Sequence, residues 1–421
     1  MAKVVIIGAS TGGLPAAYEM KAALGPEHEI TVISNTDTFH FIPSNPWVAV
    51  GWRSRKDISF PLRPPLEKKG IKLIAEAAVR IDPVKKEITT SSGGIVPYDY
   101  LLIATGPKLA FDDVPGLGPE GHTVSVCTVD HAEDAFERYR KFLENPGPVV
   151  IGAAQGASCL GPAYEFAFIL DTDLRRRKLR RKVPITFITP EPYIGHLGLS
   201  GVGDSKGLLE HELRERHISW HTNTKIKRVD SGKMAVEAPN EAENEIPFGY
   251  AMIIPAFRGV DAVAAVEGLC NPKGFVIVDE FQRSRRYPDI YAVGVSIAIA
   301  PPEATPLPVG VPKTGFMTES MVAAAVQNIK ASINGELASA KATWNAVCLA
   351  DMGDTGVAFV AIPQMPPRDV TWAKKGRWVH LAKVGFEKYF LRKMKKGLSE
   401  PFYEKTILNA LKIKKLEKPV S

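Results

Sequence analysis

The chain opens with "KVVIIGASTGGLPAAYEMKAAL", where an unbroken apolar run gives way to glycines and then to a helix-compatible pattern. A short run without alternation predicts a strand buried on both faces, followed here by a tight turn and a helix. "EITVISN" comes next as a second strand, so the unit is βαβ and opens a parallel sheet. The pattern recurs at "GPVVIGAAQGASCLGPAYEFAFIL", from Gly147, with "VPITFITPEP" as the strand after it. Two such units predict an α/β protein with two tandem Rossmann-like, doubly wound dinucleotide-binding domains. "YDYLLIATGPKLAF" and "RRYPDIYAVGVSIAI" add short apolar strands, and the polar "EAPNEAENEIPFGY" reads as a hairpin loop in the second domain. The expected boundaries are residues 1–115 with 270–335 for the first domain, 116–269 for the second, and 336–421 for a C-terminal region.

The C-terminal pattern differs. "RWVHLAKVGFEKYFLRKMKK" has apolar or small residues at 378, 381, 382, 385, 386, 389 and 390, one helical stripe. The other face carries Lys383, Glu387, Lys388, Arg392, Lys395 and Lys396, expected to be solvated. "PFYEKTILNALKIKKL" gives a second amphipathic segment. Charge sharpens this picture. The 421 residues carry a net +7, yet Thr371–Ser421 alone holds 14 basic and 4 acidic residues, and the rest 39 and 42. Basicity confined to a tail speaks against nucleic acid. It suits a helix pair lying on anionic lipid with Lys and Arg reaching to headgroups, although packing on the core with a solvated basic face fits the same pattern. The apolar run "IYAVGVSIAIAPP" has 13 residues, short of the ~18–20 needed to cross a bilayer. With 24% charged and 45% hydrophobic residues the composition is globular, and four cysteines are too few for a disulfide scaffold. "MAKVVIIGAS" enters a strand directly, so neither a signal peptide nor a transmembrane helix is expected.

In "GASTGG" the run Gly8, Ala9, Ser10, Thr11, Gly12, Gly13 stands where a dinucleotide fingerprint belongs. Gly8 permits the tight turn and Gly13 close helix–strand packing, with pyrophosphate on the helix N-terminus. Ser10 replaces the middle glycine, and Ser34 and Asn35 stand where an acidic ribose ligand is usual. "GAAQGA" is weaker, with Ala154 in the middle position and no acid after the next strand, so a nicotinamide site there is not expected. Cys159 lies at the start of the second unit's helix, whose dipole would favour its thiolate. Cys127 lies four residues before His131. No C-x-x-C or zinc-type spacing occurs. Taken singly, each cysteine reads as readily as a small buried hydrophobe. Pairing Cys159 with Cys348 across 189 residues does not follow from spacing.

"PSNPWVAVGW", "YDYLLIATGPKLAF", "CTVDHAE", "GASCLGPAYE", "YIGHLG", "GVGDSKG", "PKTGFMTESM", "TWNAVCLADMGD" and "GRWVHLAKVGFEKYF" together resemble the bacterial sulfide:quinone oxidoreductases, from Val4 to Tyr403. The resemblance implies FAD in the first domain and a second domain degenerate for NAD. It implies that Cys159 and Cys348 flank the flavin on one face, with Cys127 supporting the oxidation of hydrogen sulfide and His131, His196 and Glu165 carrying protons. Pro43, Ala78, Thr105, Gly106, Gly294, Lys313 and Gly315 would contact the cofactor, although Gly294-Val295 departs from the superfamily's usual Gly-Asp. A membrane quinone would bind the other flavin face against Lys383, Phe386 and Tyr403. A homo-oligomer attached monotopically to the inner membrane is the implied form. The alternatives are a single-subunit NADH:quinone oxidoreductase, a non-catalytic flavin-binding docking protein, and a flavocytochrome-type sulfide dehydrogenase, which would need a secretion signal and a haem partner.

Overall fold

The computed structural model describes residues 1–239, 242–401 and 414–417. β1 (Lys3–Ile7) runs through the glycine turn into α1 (Gly13–Ala23), followed by β2 (Glu29–Ile33), β3 (Lys72–Ile74) and β4 (Tyr100–Ile103). The second unit comprises α2 (Val129–Glu144), β5 (Val149–Ala153), α3 (Gly161–Arg176), β6 (Ile185–Ile188), β7 (Ile218–His221) and β8 (Tyr250–Ile254). β9 (Ile290–Ala292) and α4 (Gly315–Ile333) return to the first sheet, and β10 (Ala346–Asp351), β11 (Gly356–Ile362), β12 (Val370–Gly376) and α5 (Arg377–Lys395) complete the chain's main elements.

The first sheet has the order β9-β4-β1-β2-β3 and the second β7-β6-β5-β8, with every pairing parallel. Their strands are buried on both faces, which is why they read as continuous apolar runs rather than alternating ones. In each sheet the chain leaves the first strand to one side and returns on the other. A crevice therefore opens beyond the carboxyl ends, between β1 and β4 in one sheet and between β5 and β8 in the other. The expected hairpin is present: Lys233–Glu237 pairs with Asn244–Pro247, setting Met234 opposite Ile246. Both side chains join a small apolar cluster with Val150, Ile188 and Ile253 of the second sheet.

Two features of the C-terminal region depart from expectation. β10, β11 and β12 form an antiparallel sheet that the sequence reading did not identify, with Cys348 opposite Phe359. The second departure concerns α5, where Lys383 and Glu387, expected on its solvated face, are buried. Lys383, Glu387 and Lys393 are buried with Val379, Phe390, Leu391 and Met394, whereas Trp378, Leu381 and Phe386 are exposed. The helix turns its ionic side inward because partners wait there: Lys383 meets Glu165, Glu387 meets Arg53 at 3.0 Å, and Lys393 meets Glu319 at 3.1 Å. Lys388, Arg392, Lys395 and Lys396 stay exposed as expected. The second amphipathic segment lies mostly at 402–413, outside the described residues.

The glycine turn sets the first crevice. A Cβ on Gly13 would stand 1.9 Å from the Gly8 carbonyl oxygen, so only glycine lets α1 sit this close to the strand end. Gly13→Ala is expected to lower stability by about 1–3 kcal/mol, the usual range for an overpacked site. Thermal melts of the variant, alongside measurement of its flavin content, check this.

Candidate active site

At the first crevice Gly8 has φ +102, and its N–H donates to the Ile33 oxygen at 2.8 Å. A Cβ there would come within 2.3 Å of the Ala104 oxygen, so the backbones of β1 and β4 touch where a cofactor enters. Gly12 caps α1 with no side-chain bond, and no acidic residue occupies the first turn. The helix N-terminus is thus open to an anion. Ala9 is buried, and Ser10 and Thr11 are half-buried on the turn. Facing them, Gly106 N–H donates to Ser296 Oγ at 3.2 Å, and Thr105 Oγ1 lies 3.3 Å from the same oxygen. Gly294, with φ +67, and Gly12 both abut the Thr318 methyl, which would stand 3.0 and 3.3 Å from their missing Cβ atoms. The first turn of α4 therefore reaches the same crevice, with Thr314 as its N-cap and Gly315 facing open space. Two helix N-termini and a glycine-floored crevice are the cradle a dinucleotide requires. Ser34 is buried at the end of β2 beside exposed Asn35, and Pro43 is exposed. Ala78 begins the Ala78–Asp82 strand of a separate antiparallel sheet.

The second crevice is occupied by the protein itself. Gly156 N–H donates to the Pro308 oxygen at 2.6 Å, and Gly310 N–H to the Ala157 oxygen at 2.9 Å. Gln155 bonds both the N–H and the oxygen of Ile226. The loop groups that a second dinucleotide would need already have partners.

All four cysteines are free thiols. Cys159 lies two residues before α3, and β10, which carries Cys348, packs on that helix. The three cysteines 127, 159 and 348 are close enough to interact electrically: an ionised Cys159 raises the proton affinity of Cys127 and of Cys348. The expected low thiol pKa is not found. Burial pushes Cys159 up to about 11, opposed by the Lys313 charge, and pushes Cys127 and Cys348 up to about 12. A helix start does not offset the loss of hydration among crowded protein atoms. Lys313 is itself lowered to about 8 by burial, partly restored by Cys159. Cys270, whose thiol donates to the Val263 oxygen at 3.4 Å, stands apart as a structural residue.

Glu165 connects the cysteines to the C-terminal helix. Burial raises its pKa, the Lys383 ammonium lowers it, and the Asp351 charge raises it again. It accepts from Lys383 Nζ and from the Asp351 backbone N–H at 3.3 Å. The Asp351 carboxylate, fully buried, accepts from Trp47 Nε1 at 2.8 Å and lies 2.7 Å from His380 Nδ1. Asp351, His380, Trp47, Ser296 and Thr318 were not anticipated. Acidic and histidine positions in "ADMGD" and "RWVHL" were visible, but nothing in their spacing joins them. Phe386 lies outside this cluster, 5.9 Å from the Phe41 ring, and Tyr403 falls outside the described residues.

The two histidines are held differently. His131 sits in the first turn of α2, its ring edge-on to Phe111, with Nδ1 buried and without a partner among the described residues. Burial lowers its pKa. His196 is buried, with Nδ1 accepting from Gly198 N–H at 3.1 Å and Nε2 directed to Glu303 at 2.9 Å.

Two doubly wound sheets, one open crevice and a cysteine group beside it define a flavoprotein-type oxidoreductase. Residues 2–306 match the family model of pyridine nucleotide-disulphide oxidoreductases. The sulfide-quinone reductase of Aquifex aeolicus is 43% identical over 99% of this chain and 97% of its own. The crystal structure of the Aquifex aeolicus sulfide:quinone oxidoreductase superposes with TM-score 0.97 at 42% identity, covering 100% of this chain and 98% of that one. The mitochondrial sulfide:quinone oxidoreductase of Mus musculus is 25% identical over 69% of this chain and 65% of its own. The chain belongs to the pyridine nucleotide-disulphide oxidoreductases and, within them, to the sulfide-quinone reductase family.

Burial raises the Glu165 carboxyl, and the Lys383 ammonium is the main charge opposing that rise. With Lys383→Met the Glu165 pKa rises further above its unfolded value. Protons are then bound more tightly in the folded state, and stability falls as pH rises past the ordinary carboxylate range. The expected loss is about 3–5 kcal/mol at pH 8, as for other half-removed buried pairs, and less at pH 5. Urea unfolding at the two pH values measures it.

Proposed function

We propose that this protein oxidises sulfide at Cys159 and Cys348 and delivers the electrons to a membrane quinone. The observation carrying this reading is that Cys159 acts through charge on Cys127, Cys348 and Lys313, and that Lys313 stands two residues before the α4 start that reaches the open first crevice. The cofactor is FAD, which supplies two-electron acceptance from sulfur and two-electron donation to quinone. Gly8 to Gly13 would hold its pyrophosphate at α1, with Thr105, Gly106, Gly294 and the α4 start along the rest of the crevice. Ser34 and Asn35 offer weaker ribose contacts than an acidic residue would.

Hydrosulfide attacks an oxidised link between Cys159 and Cys348. The sulfur–sulfur bond breaks, a persulfide forms on one cysteine and the other leaves as a thiolate. Lys313 stabilises that thiolate in a site whose burial otherwise opposes charge. Cys127 then relays the sulfane sulfur outward, and His131, four residues on in the chain, would carry the proton. The filled second crevice supports a donor other than NAD(P)H.

The outward stripe of Trp378, Leu381 and Phe386, joined by exposed Ile42 and flanked by Lys388, Arg392, Lys395 and Lys396, supports attachment to an anionic bilayer surface. No helix among the described residues is long and apolar enough to cross a membrane. Quinone would meet Lys383 on the inward face of α5.

Anaerobic sulfide is expected to bleach the flavin of the purified protein within the mixing experiment, and NADH to leave it oxidised. Cys159→Ser and Cys348→Ser should each abolish bleaching, and Cys127→Ser should slow it. Rapid bleaching by NADH overturns the reading. Sedimentation with vesicles containing phosphatidylglycerol should bind the protein, and a Leu381→Glu/Phe386→Glu variant should remain in the supernatant.

A further inference from the structure

The basic run "RRRKLRRK", residues 175–182, has no part in the sulfur chemistry described above. Three of its arginines serve the fold. Arg175 pairs with one oxygen of Asp171 at 2.7 Å, Arg180 with the other at 2.5 Å, and Arg177 with Asp173 at 2.5 Å. Arg176 is different. It has no acidic partner among the described residues; its guanidinium lies 4.4 Å over the Trp52 ring, and its Nη2 donates to the Gly353 oxygen at 2.9 Å.

Arg176, Arg53 and His380 line one cleft of about 190 Å³, whose walls include Trp47, Trp52 and Val384. Each of the three is held in place with donor capacity to spare. Arg53 stacks 4.7 Å over Trp47, with Nε on Glu387 and Nη1 on the Trp52 oxygen, which leaves Nη2. Arg176 keeps Nε and Nη1, and His380, whose Nδ1 lies 2.7 Å from Asp351, keeps Nε2. Glu387 and Asp351 offset Arg53 and His380, so Arg176 brings a positive charge with no counter-charge. Asp354, next to Gly353, is exposed and is not part of the cleft wall. Guanidinium planes fixed on aromatic faces match an oxyanion that accepts several N–H groups at once, which is the chemistry of a phosphate ester.

The surface beside the cleft selects the source of that phosphate. Val384 stands three residues from Leu381 and four from Lys388, its neighbours on the surface of α5. Leu381 is 68% exposed and Trp378 49%. An apolar strip therefore starts at the rim of a cationic cleft. Inorganic phosphate would fill the cleft and leave the strip bare, whereas a ligand with a phosphate head and apolar chains covers both.

We propose that the cleft of Arg53, Arg176 and His380 binds the headgroup phosphate of a phospholipid whose acyl chains lie along Leu381 and Trp378. The inference rests on the membrane attachment proposed above and gives it a defined site. Basic side chains on a surface attract anionic lipid diffusely. A cleft shared by α3, α5 and the segment around Arg53 would hold a single lipid in one place, at the N-terminal end of α5.

The test titrates the full-length holoprotein with dihexanoyl phosphatidylglycerol below its micellar concentration, read by calorimetry. Glycerol phosphate and inorganic phosphate serve as the head without chains and the free ion. Saturable lipid binding is expected, with both chainless anions weaker by about 10-fold or more. Arg176→Gln and, from the α5 wall, His380→Asn should each weaken the lipid by on the order of 10-fold. Arg181→Gln removes an exposed charge of the same run and should bind as wild type does. Losses at Arg176 and His380 no greater than the loss at Arg181 overturn the site. A chainless anion that binds as tightly as the lipid overturns the lipid as its occupant. Sedimentation of wild type with phosphatidylglycerol vesicles checks attachment separately: protein left in the supernatant overturns that reading, and the short-chain titration, which needs no bilayer, still decides the site.

Discussion

The inward-facing charges of α5 organise the C-terminal half of the molecule. Lys383, Glu387 and Lys393 lie on one side of the helix, and each meets an opposite charge from a different segment: Glu165 on α3, Arg53 after the first domain's second strand, and Glu319 on α4. Burial alone would raise Glu319, yet Lys393 and Lys415 hold it below the usual carboxylate range. Such pairs add little net stability against a hydrophobic alternative, but each is costly to break singly. Their effect is orientation. With three charges committed inward, the helix has one rotational setting, and Trp378, Leu381 and Phe386 must face out. An exposed apolar stripe and a buried lysine follow from the same rotation.

The cysteine site depends on that arrangement. Cys348 is carried by β10, which packs on both α3 and α5, while Cys159 stands at the head of α3. Moving α5 would move the strand and the thiol with it. Burial makes all three thiols poor acids, so charge on sulfur is tolerated only where Lys313 faces it. A site that disfavours free thiolate favours sulfur in bonded form, as disulfide or persulfide, and limits reaction with passing electrophiles. Substrate that arrives already anionic and strongly nucleophilic suits it better than substrate that needs an activated cysteine.

Much of the first domain was legible because its signals are local. A strand buried on both faces has no alternation, and the spacing of Gly8 and Gly13 answers to contacts within one turn. The hairpin near residue 240 was legible for the same reason. The antiparallel sheet of β10 to β12 was missed although "GVAFVAI" is strongly β-prone, because a strand on its own does not show which segments pair with it. For α5 the period was read correctly, but Lys383 and Glu387, placed on the solvated face, turn inward. Periodicity separates two faces of a helix but does not say which is inside; that was settled by Glu165, Arg53 and Glu319, 218, 334 and 74 positions away from their partners. Asp351 and His380 were invisible on the same grounds, their meaning residing in a contact with Glu165 that no window contains. Family likeness, not spacing, suggested Cys159 with Cys348.

The two crevices show how one fold repeated in a chain diverges. Both sheets present a strand end, a glycine turn and a helix start in the same order. In the first, the start of α1 has no side-chain cap and no chain segment among the described residues lies across it. In the second, residues 308–310 lie across the turn, and Gly156 and Ala157 bond to them. That segment leads directly to Lys313 and the start of α4, so closing the second crevice is also what delivers the lysine to Cys159 and the helix N-terminus to the first crevice. A nicotinamide bound in the second unit would have to displace the strap that holds Lys313 in place. The loss of one electron donor and the installation of another are, on this geometry, a single structural change.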